Sequence, residues 1–162
     1  AKNVAILYCS AEANSKYQAT EFEKYLDEDS ISYKEFTASD SNDIGSVVQS
    51  AIEYADVIYI PTDNTMAQNT EAINNIALPA GVPIIAGEEG ICSGCGVATL
   101  SISYYDIGYK AGEMAYDILV NGADITTMNV ESAPQVTKEY NKDICDQLGI
   151  TIPDDYAAIE TN

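Results

Sequence analysis

Three short polar stretches hold most of the residues able to do chemistry: Ser10-Ala11-Glu12-Ala13-Asn14-Ser15, Pro61-Thr62-Asp63-Asn64-Thr65 and Gly87-Glu88-Glu89-Gly90. They offer hydroxyls, amides and carboxylates. Histidine is absent from the whole chain, which removes imidazole acid–base catalysis, Ser-His-Asp triads and His-containing metal sites. Glu88 and Glu89 are adjacent, and neighbouring side chains on extended backbone point apart. They make a poor general acid and base, so no catalytic residue is assigned. Cys92-Ser93-Gly94-Cys95 is a single CxxC in a Gly-rich loop. Without a second pair or histidines it does not define a metal site, and Cys9 is one candidate third thiol. Cys145 is expected to face a small apolar patch. Neither a metal nor a cofactor is expected.

Binding suits these stretches better. Ser15-x-x-Gln18, Thr65-x-x-Gln68 and Ser103-x-x-Asp106 fit the pattern that opens a helix. A helix N-terminus favours a carboxylate, while Glu12, Asp63, Glu88 and Glu89 could meet an ammonium group. Both kinds of partner on one rim suit a zwitterion such as an amino acid. Helix capping is the better explanation of any one loop, and a solvated rim explains the acids equally well; only convergence of the three favours a ligand. Of the twelve tyrosines, most are expected to be half-buried packing residues. Tyr104 and Tyr105, beside the presumed rim, could instead grip a ring or serve a hinge.

Elements must bring these loops together. Val4–Tyr8, Val57–Ile60 and Val82–Ala86 are continuously apolar, as in parallel strands covered on both faces. Ser32–Ala38 is a weaker strand nearer the sheet edge, and a fifth is expected over Val97–Ile102. Ile44, Val47, Val48, Ala51, Ile52 and Ala55 form a helical stripe. Ser15, Ala19, Phe22 and Leu26 form another. A third helix turns Met66, Ile73, Ile76, Ala77 and Ala80 inward. The fourth uses Ile107, Ala111, Met114, Ala115, Ile118 and Leu119, stopping at Asn121-Gly122. The alternation predicts a doubly wound parallel α/β sheet in three α/β/α layers, with loops at the carboxyl ends of the strands forming the binding edge. Beyond Gly122 an extended segment is expected over Val130–Tyr140 and a short helix over Lys142–Leu148.

The 162 residues suit one α/β domain. Seven Lys+Arg against 26 Asp+Glu give a net charge of −19, which argues against nucleic acid and anionic lipid. No apolar run approaches a membrane span, and no signal segment opens the chain at Ala1; in an exported protein the leader would already be gone.

Taken in order, ILYCSAEANSKYQ, DVIYIPTDNT, VPIIAGEEG, ATLSISYYDIGYKAGEMAYDIL and GITIPDD resemble the ABC-type substrate-binding proteins of the group that contains tryptophan and other aromatic amino-acid binders. The resemblance runs through nearly the whole chain. It implies a lobe of the periplasmic-binding-protein type I fold, closing by hinge rotation on a ligand held between two lobes and serving ABC permease subunits. It also implies an extracytoplasmic setting, periplasmic or as a cell-surface lipoprotein. Ser10, Asn14, Ser15, Asp63, Asn64, Thr65, Gly87, Glu88 and Tyr105 are the cleft positions it implies. The chain starts where the second lobe of such proteins starts, so the N-terminal lobe is missing. Residues 1–102 would be the ligand-binding lobe, and 103–162 a helix and tail packing partly on the absent one. Alone, that helix would expose apolar surface and favour a homodimer or domain swap. Cys9, Cys92 and Cys95 depart from the family pattern. Two other functions fit less well. A flavodoxin-like FMN carrier would want glycine in the Ser10–Ser15 loop, and the effector-binding half of a repressor would want a DNA-binding segment upstream.

Overall fold

Along the first strand, β1 (Asn3–Cys9), side chains alternate between two apolar layers. Val4, Ile6 and Tyr8 pack with Ala19 and Leu26 of the first helix, α1 (Ala13–Glu28). Ala5, Leu7 and Cys9 enter a larger core on the other face. A strand buried on both sides needs helices on both sides, which is the α/β/α layering expected. The computed structural model describes residues 1–133 and 135–159.

The remaining strands are β2 (Ser32–Ala38), β3 (Val57–Ile60), β4 (Ile84–Ala86), β5 (Ala98–Ile102), β6 (Val136–Tyr140) and β7 (Ala157–Ala158), and the sheet order is β2-β1-β3-β4-β5-β6-β7. The first five are parallel, with β2 at the edge as expected. β6 then runs antiparallel to β5 and β7 parallel to β6, so the sheet is mixed at this end. β4 starts at Ile84 and not at Val82, because Pro83 has no N–H to give the ladder; its carbonyl still accepts from the Ile58 N–H at 3.0 Å. The extended segment expected from Val130 becomes a strand only at Val136, and residue 134 lies outside the described residues.

On the larger core pack α2 (Ile44–Tyr54), α3 (Asn64–Ala67), α4 (Thr70–Ala77) and α5 (Glu89–Cys95). Where one helix was expected to turn Met66 through Ala80 inward, there are two. Asn69 breaks the run by donating its side-chain amide to the Thr65 carbonyl at 2.7 Å, and Ala80 is exposed. The CxxC sits in α5 and not in a Gly-rich loop. Gly94 is there for close packing, since a Cβ would meet Thr70 Oγ1 at 2.2 Å. Cys92 and Cys95 are free and buried. Burial first, then Cys95, pushes the Cys92 thiol up to about 12, and burial pushes Cys95 to about 12.

The next helix, α6 (Tyr104–Leu119), begins as read from sequence: the Ser103 hydroxyl accepts from the Asp106 N–H at 3.1 Å. None of its residues is buried. Six of the twelve tyrosines are exposed and four of these (Tyr104, Tyr105, Tyr109 and Tyr116) lie on α6, contrary to the half-buried role expected for most. α7 (Lys142–Leu148) ends at Gly149, whose φ of 66° closes the helix. Cys145 does meet a small apolar patch, with Val97, Ala98 and Ile144. Residues 136–159 thus return to the sheet, whereas α6 and the 3-10 turn Ile125–Thr127 that follows it have no buried residue.

Candidate functional site

In the order β2-β1-β3 the direction in which successive strands are added reverses at β1, and open α/β sheets bind ligands at the carboxyl ends of the strands beside such a switch point. Here the loops after β1, β3 and β4 meet. Thr62 is their junction. Its carbonyl accepts from Asn14 Nδ2 at 2.8 Å and Ser15 Oγ at 3.3 Å, its N–H donates to Gln18 Oε1 at 3.0 Å, and its hydroxyl donates to the Gly87 carbonyl at 3.3 Å. Gly87 is forced by this closeness: a Cβ would lie 2.6 Å from the Thr62 nitrogen.

Glu12 makes the second stitch. Its carboxylate accepts from the backbone N–H and side-chain amide of Asn64, each at 3.0 Å, and from the N–H and hydroxyl of Thr65, each at 2.8 Å. Burial pushes this carboxyl up, but the four donors outweigh it and hold it down at about 2. Asp63, nearly all buried, makes the third: it accepts from the Cys9 N–H and the Met66 N–H, both at 2.8 Å. Glu88 accepts from the Gly90 and Ile91 N–H groups and so caps α5.

The nine candidate positions therefore separate. Ser10, Asn14, Asn64 and Tyr105 are exposed, though the side chains of Ser10, Asn14 and Asn64 also donate to Ala38, Thr62 and Glu12. Ser15 and Asp63 are buried within the stitching, and Thr65, Gly87 and Glu88 are half-buried and engaged in it. The capping patterns at Ser15 and Thr65 are corrected. Ser15 lies inside α1, and Thr65 donates to Glu12 while Asp63 caps α3. Glu12, Asp63 and Glu88, expected as partners for an ammonium, are engaged by amides; Glu89 alone of the four is left exposed. Thr62 and Gln18 were missed as site residues. Gln18 lies one helical turn beyond Asn14, which puts both on one face of α1, and that spacing was the available signal.

At the foot of α6, a recess of about 430 Å³ is lined by Glu89, Ser101, Ser103, Tyr105, Thr137 and Glu139 among others. Thr99 and Glu139 pair across β5 and β6, and Thr99 Oγ1 and Glu139 Oε2 are buried without a hydrogen-bond partner. Burial, then the charge on Glu89, pushes the Glu139 carboxyl up. This side of the rim is negative.

Of the helices that follow β1, β3, β4 and β5, α3, α5 and α6 have their N-termini capped by Asp63, Glu88 and Ser103. The first turn of α1 has no side-chain cap and no acidic residue. It opens between Ser10 and Asn14. Among the described residues no three His, Cys, Asp or Glu side chains are placed to hold a metal ion.

Residues 1–161 match the family described as ABC transporter substrate binding protein. The tyrosine-binding protein of Clostridioides difficile strain R20291 is 32% identical over 133 residues, covering 80% of this chain and 39% of that protein. A ligand-free, open substrate binding protein with adhesive properties from Clostridium difficile superposes with a TM-score of 0.79 at 31% identity, covering 99% of this chain and 55% of the other. An ABC domain from Streptococcus pneumonia in complex with L-Trp gives 0.85 at 30% identity, covering 94% and 52%. The chain spans about half the length of these relatives, or less. The match lends nothing to an FMN carrier or a repressor half.

Proposed function

The chain belongs to the ABC transporter substrate binding protein family, a family of binding proteins and not of enzymes, and from that premise we propose that its rim is one wall of a cleft that captures an aromatic amino acid for an ABC permease. One observation carries the proposal: the first turn of α1 is left without a side-chain cap on a rim whose other helix N-termini are occupied. The first-turn amides, which point out along the helix axis, and the positive end of a 16-residue helix suit the α-carboxylate of the solute. Ser10 and Asn14 flank it, and Asn64 lies beside them. The ammonium group lies toward the negative recess of Glu89 and Glu139, and the exposed face of Tyr105 meets the ring. Ser15, Asp63, Thr65, Gly87 and Glu88 hold the loops in register. The tyrosine-binding relative and the L-Trp complex support the ligand class. The same reading puts the protein outside the cytoplasmic membrane, facing a second lobe across a hinge. No helix among the described residues is long and apolar enough to cross a membrane.

Calorimetry on protein that carries both lobes tests this. L-Tyr, L-Trp or L-Phe gives saturable heat, and Asn14→Ala weakens it about tenfold, the scale of one lost hydrogen bond. The absence of heat with every L-amino acid removes the ligand class.

A further inference from the structure

Of the helices after β1, β3, β4 and β5, only α1 lacks a cap from its own N-cap side chain. Its backbone is nonetheless that of a capped helix. The N-cap residue is Glu12, with φ −99° and ψ 108°, and the Glu12 carbonyl accepts from the Lys16 N–H at 3.2 Å. Only the side chain is elsewhere. Its length does not explain this. Glu88 is the same residue type at the same position of α5, and its carboxylate turns back onto the Gly90 and Ile91 N–H groups.

Competition separates the two glutamates. The Glu12 carboxylate meets four donors on Asn64 and Thr65, the first two residues of α3. Two of these donors are backbone N–H groups, which a helix cannot satisfy within itself at its start. Asp63, the N-cap of α3, reaches the next one, the Met66 N–H at 2.8 Å. Glu12 therefore completes the cap of α3 and withholds one from α1. Among the described residues neither the Ala13 nor the Asn14 N–H meets an acceptor, and both residues are exposed.

We infer that Glu12 is a positioning residue: by crossing to α3 it holds the first turn of α1 open for a carboxylate from outside the chain. The inference rests on the reading of that turn as the carboxylate site and adds what keeps it open. It also makes the length of one side chain decisive. Aspartate at this position is about 1.5 Å shorter. Donors now at 2.8 to 3.0 Å pass beyond hydrogen-bond reach, while aspartate on this backbone is among the best caps for its own helix. Glu12→Asp thus closes α1 with the chain's own carboxylate. Glu12→Ala breaks the same four bonds and leaves α1 open.

The order of these two variants is the test, because the loss of a stitch alone would not produce it. On protein carrying both lobes, calorimetry with L-Tyr or L-Trp should find Glu12→Asp about tenfold weaker than Glu12→Ala, although aspartate keeps the charge. Glu12→Ala equal to or weaker than Glu12→Asp overturns the inference and leaves Glu12 a stitch between loops. NMR of the same proteins without ligand separates this from the ligand reading. In Glu12→Asp the Asn14 or Ser15 amide proton moves downfield as it gains an acceptor, and in Glu12→Ala neither does. No such movement overturns the inference. If the wild type takes up neither amino acid, the ligand reading fails and these amides alone decide. Should Glu12→Asp not fold, Thr65→Val, which removes one donor of the four, decides in its place: a partial downfield movement at the same amides supports the inference, and none overturns it.

Discussion

Glu12 ties the site together from 52 and 53 positions away in sequence, with four donors on one carboxylate. A glutamine there keeps one acceptor oxygen and turns a donor toward donors, so Glu12→Gln is expected to lower stability by about 2 kcal/mol, read from urea unfolding at neutral pH. The pH dependence has a definite sign. The folded carboxyl sits at about 2 against an ordinary 4.5, so its contribution is complete above 4.5 and is lost as pH falls toward 2. Unfolding curves across that window should steepen in the wild type relative to Glu12→Gln. Gly87→Ala forces a Cβ into the Thr62 backbone and should cost about 1–3 kcal/mol, the range for overpacking. A thermal melt unchanged by it would show that the β4 loop does not press on the β3 loop. Cys92 and Cys95, pushed up to about 12 and buried, should react with a thiol reagent far more slowly than after denaturation. Rapid reaction in the native state would mean that α5 opens.

Elements were legible wherever the pattern was local. The apolar runs of β1 and β3, the stripe of α2 and the Ser103 start of α6 depend on neighbours within a few positions. Ser15 and Thr65 matched a helix-opening pattern equally well, yet Glu12 and Asp63 hold those sites through contacts across two loops. No spacing rule contains such a contact. The CxxC looked like loop because of its glycines, whereas Gly94 is there to let α5 approach Thr70. The short β4 was visible in principle, since Pro83 limits the ladder. At this scale α6 gives the sharpest expectation. With no buried residue, its amides should exchange with solvent far faster than those of β1 or α2 in the 162-residue chain, and slow when a second lobe covers it. Equal protection in that chain would contradict its isolation.

In the described residues α2 to α5 cover one face of the sheet and α1 the other, and the candidate rim is stitched where the loops meet and uncapped where α1 begins. The alternation of strand, polar loop and helix anticipated that the three loops meet on one edge; it did not anticipate which acids would be engaged by amides. The most direct test follows amide signals of Ala13, Asn14 and Ser15 by NMR, on protein carrying both lobes, during titration with L-Tyr or L-Trp and with their methyl esters. The account predicts saturable shifts at these three amides with the free amino acids and none with the esters, which lack the carboxylate. Shifts confined to other parts of the rim, or equal shifts with ester and acid, would contradict it.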